Sequence, residues 1–327
     1  MSEAAEITLV VPTYQREEVL CETLRAVQRL GGWSEVVVVD QTPMHTAATT
    51  RHLEQGSDAG WLTWVRREEP SIPRAMNAGM LAAAGEIVLF LDDDIIPDER
   101  LVQAHVEAHA EFPEAWGVVG QVLQPGEESH SRGEWKPRSG FLADLDFPFW
   151  SNKRAWVSNV MAGNLSVKRE RAIGIGGFDE NFEGVAYRFE TEFARRLLRA
   201  GGKILFEPAA SLRHLRASRG GTRSEGSHLT SASPRHGMGD YYFALRSGWS
   251  TEAGQYMLKR PLREVRTRFH LWHPWYIPVK LIGELRAFVQ ACELARRGPR
   301  LMTTSGDDRT TGKAFNANKQ LAEETAG

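Results

Sequence analysis

Cysteine is scarce in this chain: Cys21 and Cys292 are the only two among 327 residues. A disulfide framework is thereby excluded, and a reducing compartment is the default. No Cys/His spacing of a zinc site occurs. Long apolar runs are lacking too. No stretch approaches the roughly 20 apolar residues that span a bilayer. Residues 1–6 have neither the basic start nor the apolar core of a signal peptide, so the expected location is the cytoplasm. The formal charge is only −2, which argues against a partner such as nucleic acid bound through net charge. The glycine loops that cradle phosphates are also missing. The first apolar run ends Pro12-Thr13-Tyr14-Gln15-Arg16, where a dinucleotide-binding fold needs Gly-x-Gly-x-x-Gly, and no Walker A lysine loop follows. What remains is ordinary globular material, 42% hydrophobic and 25% charged. That suffices for a real core in one large or two medium domains.

Short apolar runs alternate with helical patterns through the first half. Ile7–Val11, Val36–Val39, Leu62–Val65, Ile87–Leu91 and Val118–Leu123 are continuous rather than alternating, as strands buried on both faces of a parallel sheet are. Helices are predicted between them over Glu17–Leu30, Pro73–Ala84 (with Ser71 as cap and Gly85 as stop) and Asp98–Phe112. Strand–helix–strand repetition predicts an α/β doubly wound sheet. From Gln124 to Ser158 the pattern fails in a stretch rich in Gly, Pro, Ser and Trp. A helix is predicted over Glu190–Ala200 and a last short strand over Ile204–Phe206. Arg216–Gly237 has the Gly/Ser composition of a flexible loop. Helical stretches follow at Met238–Arg246 and Pro278–Arg297, and a polar, frayed tail from about residue 302.

The sharpest chemical feature is Phe90-Leu91-Asp92-Asp93-Asp94-Ile95-Ile96-Pro97. Three adjacent carboxylates end a buried strand, at the sheet edge where α/β folds bind ligands. In an extended segment Asp92 and Asp94 share a side. Their repulsion calls for compensation, and a hard divalent cation with oxygen ligands supplies it. Asp40, ending the second strand, can accept from a base or ribose, or serve only as a turn former.

These segments together resemble a known family. Val10-Val11-Pro12-Thr13-Tyr14-Gln15-Arg16, Val38-Val39-Asp40-Gln41, Arg74-Ala75-Met76-Asn77-Ala78-Gly79 and the acidic triplet come in order. They are followed by Gly163-Asn164-Leu165-Ser166-Val167, Gly176-Gly177-Phe178-Asp179-Glu180, Glu190-Thr191-Glu192-Phe193, and Pro208 with His214. The series, spanning about residues 6–215, is similar to a family 2 glycosyltransferase with the GT-A fold. The resemblance implies a mostly parallel nucleotide-binding sheet flanked by helices and a metal-dependent, inverting transfer of a sugar from a nucleotide donor, UDP first, to a hydroxyl acceptor that is a saccharide, a lipid-linked molecule or a small molecule. It implies that Pro12, Thr13, Tyr14, Arg16 and Asp40 bind the base. Asp92 would contact the ribose, Asp94 and His214 would face Mn²⁺ or Mg²⁺ at the diphosphate, and Asp93 would belong to the donor site in an undefined role. Arg74 and Asn77 would line the donor pocket, and Gly163 and Asn164 the floor near the sugar.

At one point the chain departs from that pattern. Many relatives carry Glu-Asp before the helix, and the Asp deprotonates the acceptor; here those positions read Phe189-Glu190. Glu190 is the expected general base, Glu192 the second choice and Glu183 the third. The arginines at 216, 219, 223 and 235 against the single acid Glu225 suit a loop that closes over a diphosphate; a solvated linker is the plainer reading.

Other signals have bland readings. His105 and His109, four apart on a helix, are expected to pack rather than bind metal. Trp135, Phe141, Phe147, Phe149, Trp150 and Trp156 are either a sugar-stacking surface or loop packing. Between Lys259 and Arg300 ten Lys/Arg face three Glu, with Trp272, Trp275 and Tyr276 among them. That is the composition of an interfacial membrane segment, so residues 255–300 are a candidate for peripheral contact with the inner face of a membrane; a dimer face or a cap on the catalytic domain fits as well. The expected organisation is a catalytic domain over 1–235 (donor half about 1–123, acceptor half about 124–215, loop 216–235), a helical extension over 236–300 and a tail over 301–327. Oligomeric state is open. A nucleotidyltransferase and a catalytically degenerate sugar-nucleotide binder or scaffold are the alternatives.

Overall fold

The apolar runs build one half of a nine-stranded sheet and one strand of the other in a computed structural model that describes residues 6–129, 138–217, 219–222 and 227–302. In chain order the elements begin β1 (Ile7–Thr13), α1 (Glu18–Leu30), β2 (Glu35–Asp40), α2 (Ala47–Asp58), β3 (Leu62–Arg66), α3 (Ile72–Ala82), β4 (Ile87–Leu91), β5 (Ile95–Pro97), α4 (Leu101–Glu111) and β6 (Ala115–Leu123). They continue with β7 (Ala155–Trp156), β8 (Asn164–Lys168), α5 (Arg169–Gly174), α6 (Phe189–Arg199), β9 (Lys203–His214), α7 (Met238–Arg246), α8 (Thr251–Val265), α9 (Arg268–Trp272) and α10 (Tyr276–Arg297). The sheet order is β3-β2-β1-β4-β8-β6-β9-β5, with β7 beside β9.

The half of the sheet carrying β3, β2, β1 and β4 is parallel. Alternate residues of its strands feed two cores: Val10, Val37, Val39, Val88 and Phe90 face one, and Leu9, Val11, Val36, Val38, Leu89 and Leu91 the other. Both faces of β1, β2 and β4 are dry, which is why their runs are continuous; Leu62–Val65, expected to be buried on both faces, is instead the edge strand β3 and buries only Leu62. Gly79 lets α3 lie on β1, since a Cβ there would come within 2.2 Å of Val10 Cγ1.

β8 breaks the parallel pattern. It runs antiparallel between β4 and β6, and its sequence hides it, because two of its buried residues are polar. Asn164 donates to Gln121 O and Ala210 O, so its Oδ1 is left to accept from His105 Nε2 at 2.9 Å. Neutral His105 then accepts from Ser166 Oγ through Nδ1, and Ser166 accepts from His109 Nε2. The two histidines are therefore packing residues held neutral. Burial pushes His105 down to about 4 and His109 to about 3.

A stability prediction follows. A free imidazole titrates near 6.5, so between about pH 6.5 and 4 the unfolded chain binds protons that the folded chain refuses, and stability falls as pH falls. Two kinds of group oppose this: His45 and His214, shifted upward, add stability as pH falls toward about 6.5, and Asp93, lifted to about 7 by burial, is protonated in the folded chain alone down to about pH 4 and offsets one of the two rings. Each buried ring contributes up to about 1.4 kcal/mol per pH unit inside its window. In an Asp93→Asn background, which removes that offset, urea unfolding at about pH 6 and 5 is expected to show a loss; equal free energies at the two pH values would contradict the neutral chain.

Several expectations on the elements need correction. α2 was not foreseen, because its buried face is Thr49, Leu53 and Gly56 and carries almost no apolar period. β9 does not stop at Phe206 but runs to His214, past a register shift that takes Gly120↔Glu207 to Gln121↔Ser211. α8 and α9 lie within the extension expected to be helical over 236–300, but no separate bounds were expected for them, for their large apolar residues point outward. Of the aromatic cluster, Phe141, Phe147 and Phe149 are core, and Trp156 packs edge-on against Phe112. Trp135, Arg223, Glu225 and the tail beyond 302 lie outside the described residues.

Candidate active site

The carboxyl ends of β1 and β4 open into a cleft of about 650 Å³. Chain order alone does not bring His214 there. β5 pairs antiparallel with β9, setting Ile95 opposite His214, and Leu215 N donates to Asp94 O at 2.8 Å. His214 Nε2 thus lies 3.1 Å from Asp94 Oδ1 and 3.6 Å from Asp92 Oδ2. One ligand atom from each of these three residues falls within 4.8 Å of the others. Gly163 makes room for this cluster, because a Cβ on it would come within 2.1 Å of Asp92 Oδ2. Two carboxylates and an imidazole suit Mn²⁺ or Mg²⁺ better than a soft metal.

The acids differ in environment. Asp94 is buried, yet the hydrogen bonds from His214 and from Ala217 N at 2.8 Å, with the Arg16 charge, hold it below the usual range. Hydrogen bonding to Asp94 raises His214 against the effect of its burial. Burial dominates at Asp93 and lifts it to about 7, against Arg16 and the hydroxyl of Thr13, which donates at 2.7 Å.

Arg16 is the hinge of the cleft. It lies 3.4 Å from both Asp93 and Asp94. Its guanidinium also donates to Ala217 O at 3.0 Å and to Arg219 O. Gly221 N donates to Tyr14 O at 2.7 Å. Gly220, at φ 74°, sits so close to Gln15 O that any Cβ would collide at 2.2 Å. The described part of the Gly-rich loop, 216–217 and 219–222, is therefore folded down on the strand end. Nothing in the sequence signalled that Arg16 ties it there.

Pro12, Thr13, Tyr14, Arg16, Asp92, Asp93, Asp94, Gly163, Glu190 and His214 all line the cleft. Glu190 stands in the first turn of α6, and its Oε1 accepts from Ala162 N at 2.7 Å. Phe189 before it is core, 5.6 Å from Phe178, so the position that is acidic in relatives here faces an aromatic cluster.

Five expected site residues are elsewhere. Asp40 is 1% exposed and turned inward, accepting from Thr42 N, His45 Nε2 and Trp64 Nε1 at 2.8–3.0 Å; its neighbour Gln41 lines the cleft. His45 bridges it to Glu17, a partner no motif announced. Asn77 is buried and spends its amide on Phe178 N and O and on Glu180. Asn164 belongs to the histidine chain. Glu192 is buried against Arg196 at 2.7 and 2.9 Å. Arg74 lines a second cavity of about 410 Å³ that shares Tyr14 and Thr222 with the cleft. There it pairs with Glu69, Glu180 and Glu183.

Residues 8–162 match the sequence model for glycosyl transferase family 2. Among solved structures the chain is similar to the crystal structure of GalNAc-T7 with UDP, GalNAc and Mn²⁺. The identity there is 14% over 85% of this chain and 59% of that one, with a TM-score of 0.52. The chain thus spans less than two thirds of that protein. It is also similar to the mannosyltransferase PcManGT from Pyrobaculum calidifontis in complex with GDP-Man and Mn²⁺, with 19% identity over 99% of this chain and 84% of that one and a TM-score of 0.51. At these identities the likeness is one of fold, here the GT-A fold. No curated protein matches the chain in sequence.

Proposed function

We propose that the chain, whose residues 8–162 match the model for glycosyl transferase family 2, transfers a sugar from a nucleoside diphosphate donor, UDP first, to a hydroxyl acceptor with inversion at the anomeric carbon. The observation that carries this reading is the convergence of Asp92, Asp94 and His214 in a cleft that also contains Glu190. Asp94 and His214, with Asp92 beside them, are the residues that would hold Mn²⁺ or Mg²⁺. A bound cation would supply Lewis-acid neutralisation of the leaving diphosphate.

The chain's own residues do the rest. Tyr14 and Arg74 border the cavities that would take the nucleoside end. Arg16 keeps a fixed positive charge beside the acids and holds Ala217 and Arg219 at the cleft, which excludes water from the donor. Glu190, oriented by Ala162 N–H, takes the acceptor proton as the acceptor oxygen bonds to the anomeric carbon. The bond from that carbon to the diphosphate breaks on the opposite side, and no covalent sugar–enzyme intermediate forms. The family resemblance and a cleft with Glu190 as its candidate base support this route.

The test is calorimetric binding and hydrolysis of a panel of nucleotide sugars with Mn²⁺, Mg²⁺ or EDTA, for the wild type and Asp94→Asn. One donor is expected to bind with metal and to be lost with EDTA. Asp94→Asn is expected to weaken metal-dependent binding by at least about tenfold, as disturbed metal sites do. Failure of every donor under every metal condition would sink the transferase reading and favour a degenerate scaffold.

A further inference from the structure

The extension formed by α7–α10 sorts its charges. Between residues 253 and 292 the acids are Glu264 and Glu284, and both turn inward. Glu284 is 3% exposed and meets Arg260 Nε at 3.0 Å and Lys280 Nζ at 3.2 Å. Glu264 meets Lys280 at 3.4 Å. Lys259, Arg263, Arg266, Arg268 and Arg286 are exposed. The outer surface of this stretch is therefore basic, with no exposed acid on it.

Large apolar side chains share that outer surface. Leu258 is 78% exposed, Leu271 78%, Trp272 79%, Trp275 63% and Leu285 63%. Their direction follows from the helices. α8 and α10 point Arg260, Lys280 and Glu284 into one buried ionic cluster. Leu258 and Leu262 lie two positions either side of Arg260, hence on the opposite face of α8. Ile282, Leu285 and Val289 are likewise exposed on α10, while Lys280, Glu284, Ala287 and Ala291 are buried. α9 joins this layer through Phe269, whose ring stacks on His273 at 4.5 Å and lies 5.6 Å from Tyr276.

We propose that the outer face of α8–α10 docks on an anionic phospholipid surface, Trp272, Trp275 and the leucines entering the headgroup boundary while Lys259, Arg266, Arg268 and Arg286 meet lipid phosphates. Exposed Trp beside Lys/Arg is what an interfacial segment presents. Among the described residues no helix is long and apolar enough to cross a membrane, so the contact is superficial. Charge decides against a second copy of the chain as occupant. Face-to-face pairing would set the five exposed bases Lys259, Arg263, Arg266, Arg268 and Arg286 against their copies, with only Glu252 and Glu293, at the ends of α8 and α10, as exposed acids to offset them. Gln290, next to Val289 on α10, lines the cavity that adjoins the cleft, so docking holds the cleft near the lipid surface.

The test is flotation of the full chain with vesicles of phosphatidylcholine alone and of two parts phosphatidylcholine to one part phosphatidylglycerol. Binding is expected on the anionic vesicles and at least about tenfold weaker on the neutral ones. Each Lys or Arg at such a surface strengthens binding about fivefold, so Arg266→Glu with Arg268→Glu is expected to lose at least about tenfold. Trp272→Ala with Trp275→Ala is expected to weaken binding at high salt, where the charges are screened. All four positions are exposed, so the variants should keep the wild-type unfolding midpoint and donor affinity. Equal flotation on both vesicles, no flotation of the wild type, or a dimer in light scattering that the tryptophan variant dissolves would each overturn the proposal. None of these readouts depends on transferase activity.

Discussion

Replacing Glu190 with glutamine is expected to lower kcat by about 10²- to 10⁴-fold, the range that a positioned general base supplies. The amide keeps the size of the side chain, and its carbonyl can still accept from Ala162 N, now 2.7 Å from Oε1. Donor affinity and unfolding midpoint should therefore hold while the proton acceptor is lost. Donor hydrolysis measures this even before the acceptor is known, since water then stands in for the hydroxyl. Glu192→Gln is the informative companion. Glu192 holds Arg196, which donates to Ile175 O at 2.7 Å and Gly177 O at 2.6 Å. Its loss should loosen that loop and cost stability, with kcat following only through the fold. Full activity in Glu190→Gln with none in Glu192→Gln at equal stability would reverse the assignment of the base.

The readable part of the fold was the part in which side-chain chemistry and burial agree. The valines and leucines of β1, β2 and β4 are buried on both faces, and their runs say so. The acid triplet was readable because three carboxylates cannot be core without compensation. β8 was not, since Asn164 and Ser166 are buried polar residues whose partners, His105 and His109, lie almost sixty positions away. That Asp40, Asn77 and Asn164 turn away from the cleft was not legible for one reason. A polar residue near a ligand-binding strand end can face the cleft or stitch the loops behind it. Only the partners, His45 and Trp64 for Asp40 and Phe178 for Asn77, distinguish the two. The bounds of α8 and α9 stayed hidden for the opposite reason. Their leucines and tryptophans face outward beside exposed bases, while Arg260 is buried, so a rule that puts apolar residues inside draws no helix boundaries within the stretch expected to be helical over 236–300. The approach of His214 to Asp94 depends on β9 continuing past its bulge to pair with β5, which no local sequence signal gives.

Arg260→Met is expected to destabilise the chain by about 3–5 kcal/mol, the cost of removing one partner from a buried ionic cluster. Arg260 is 3% exposed and Asp240 is fully buried. The guanidinium reaches Asp240 with one nitrogen and Glu284 with another, at 3.0 Å in the latter case. Tyr256 and Tyr241 donate their hydroxyls to the same two carboxylates, and burial beside Asp240 lifts Tyr256 to about 12. Methionine fills much of the volume but leaves both acids short of a charge in a site that water does not reach. The cluster also bears on the cleft. Arg188 Nε lies 3.3 Å from Asp240 Oδ1, and Arg188, left-handed at φ 71°, caps the helix that carries Glu190. Below the unfolding transition, kcat in donor hydrolysis is therefore expected to fall more than KM rises, because the base shifts while the donor site on β1 and β4 does not. Urea unfolding gives the stability term, and Arg266→Met, on the exposed face, is the control expected to stay within about 0.5 kcal/mol. A loss below about 1 kcal/mol, smaller than a single buried charge pair implies, would mean that Lys280, Arg188 and Arg263 satisfy the acids without Arg260. The helices of the extension would then be held together by apolar packing of α7 and α10 rather than by this cluster.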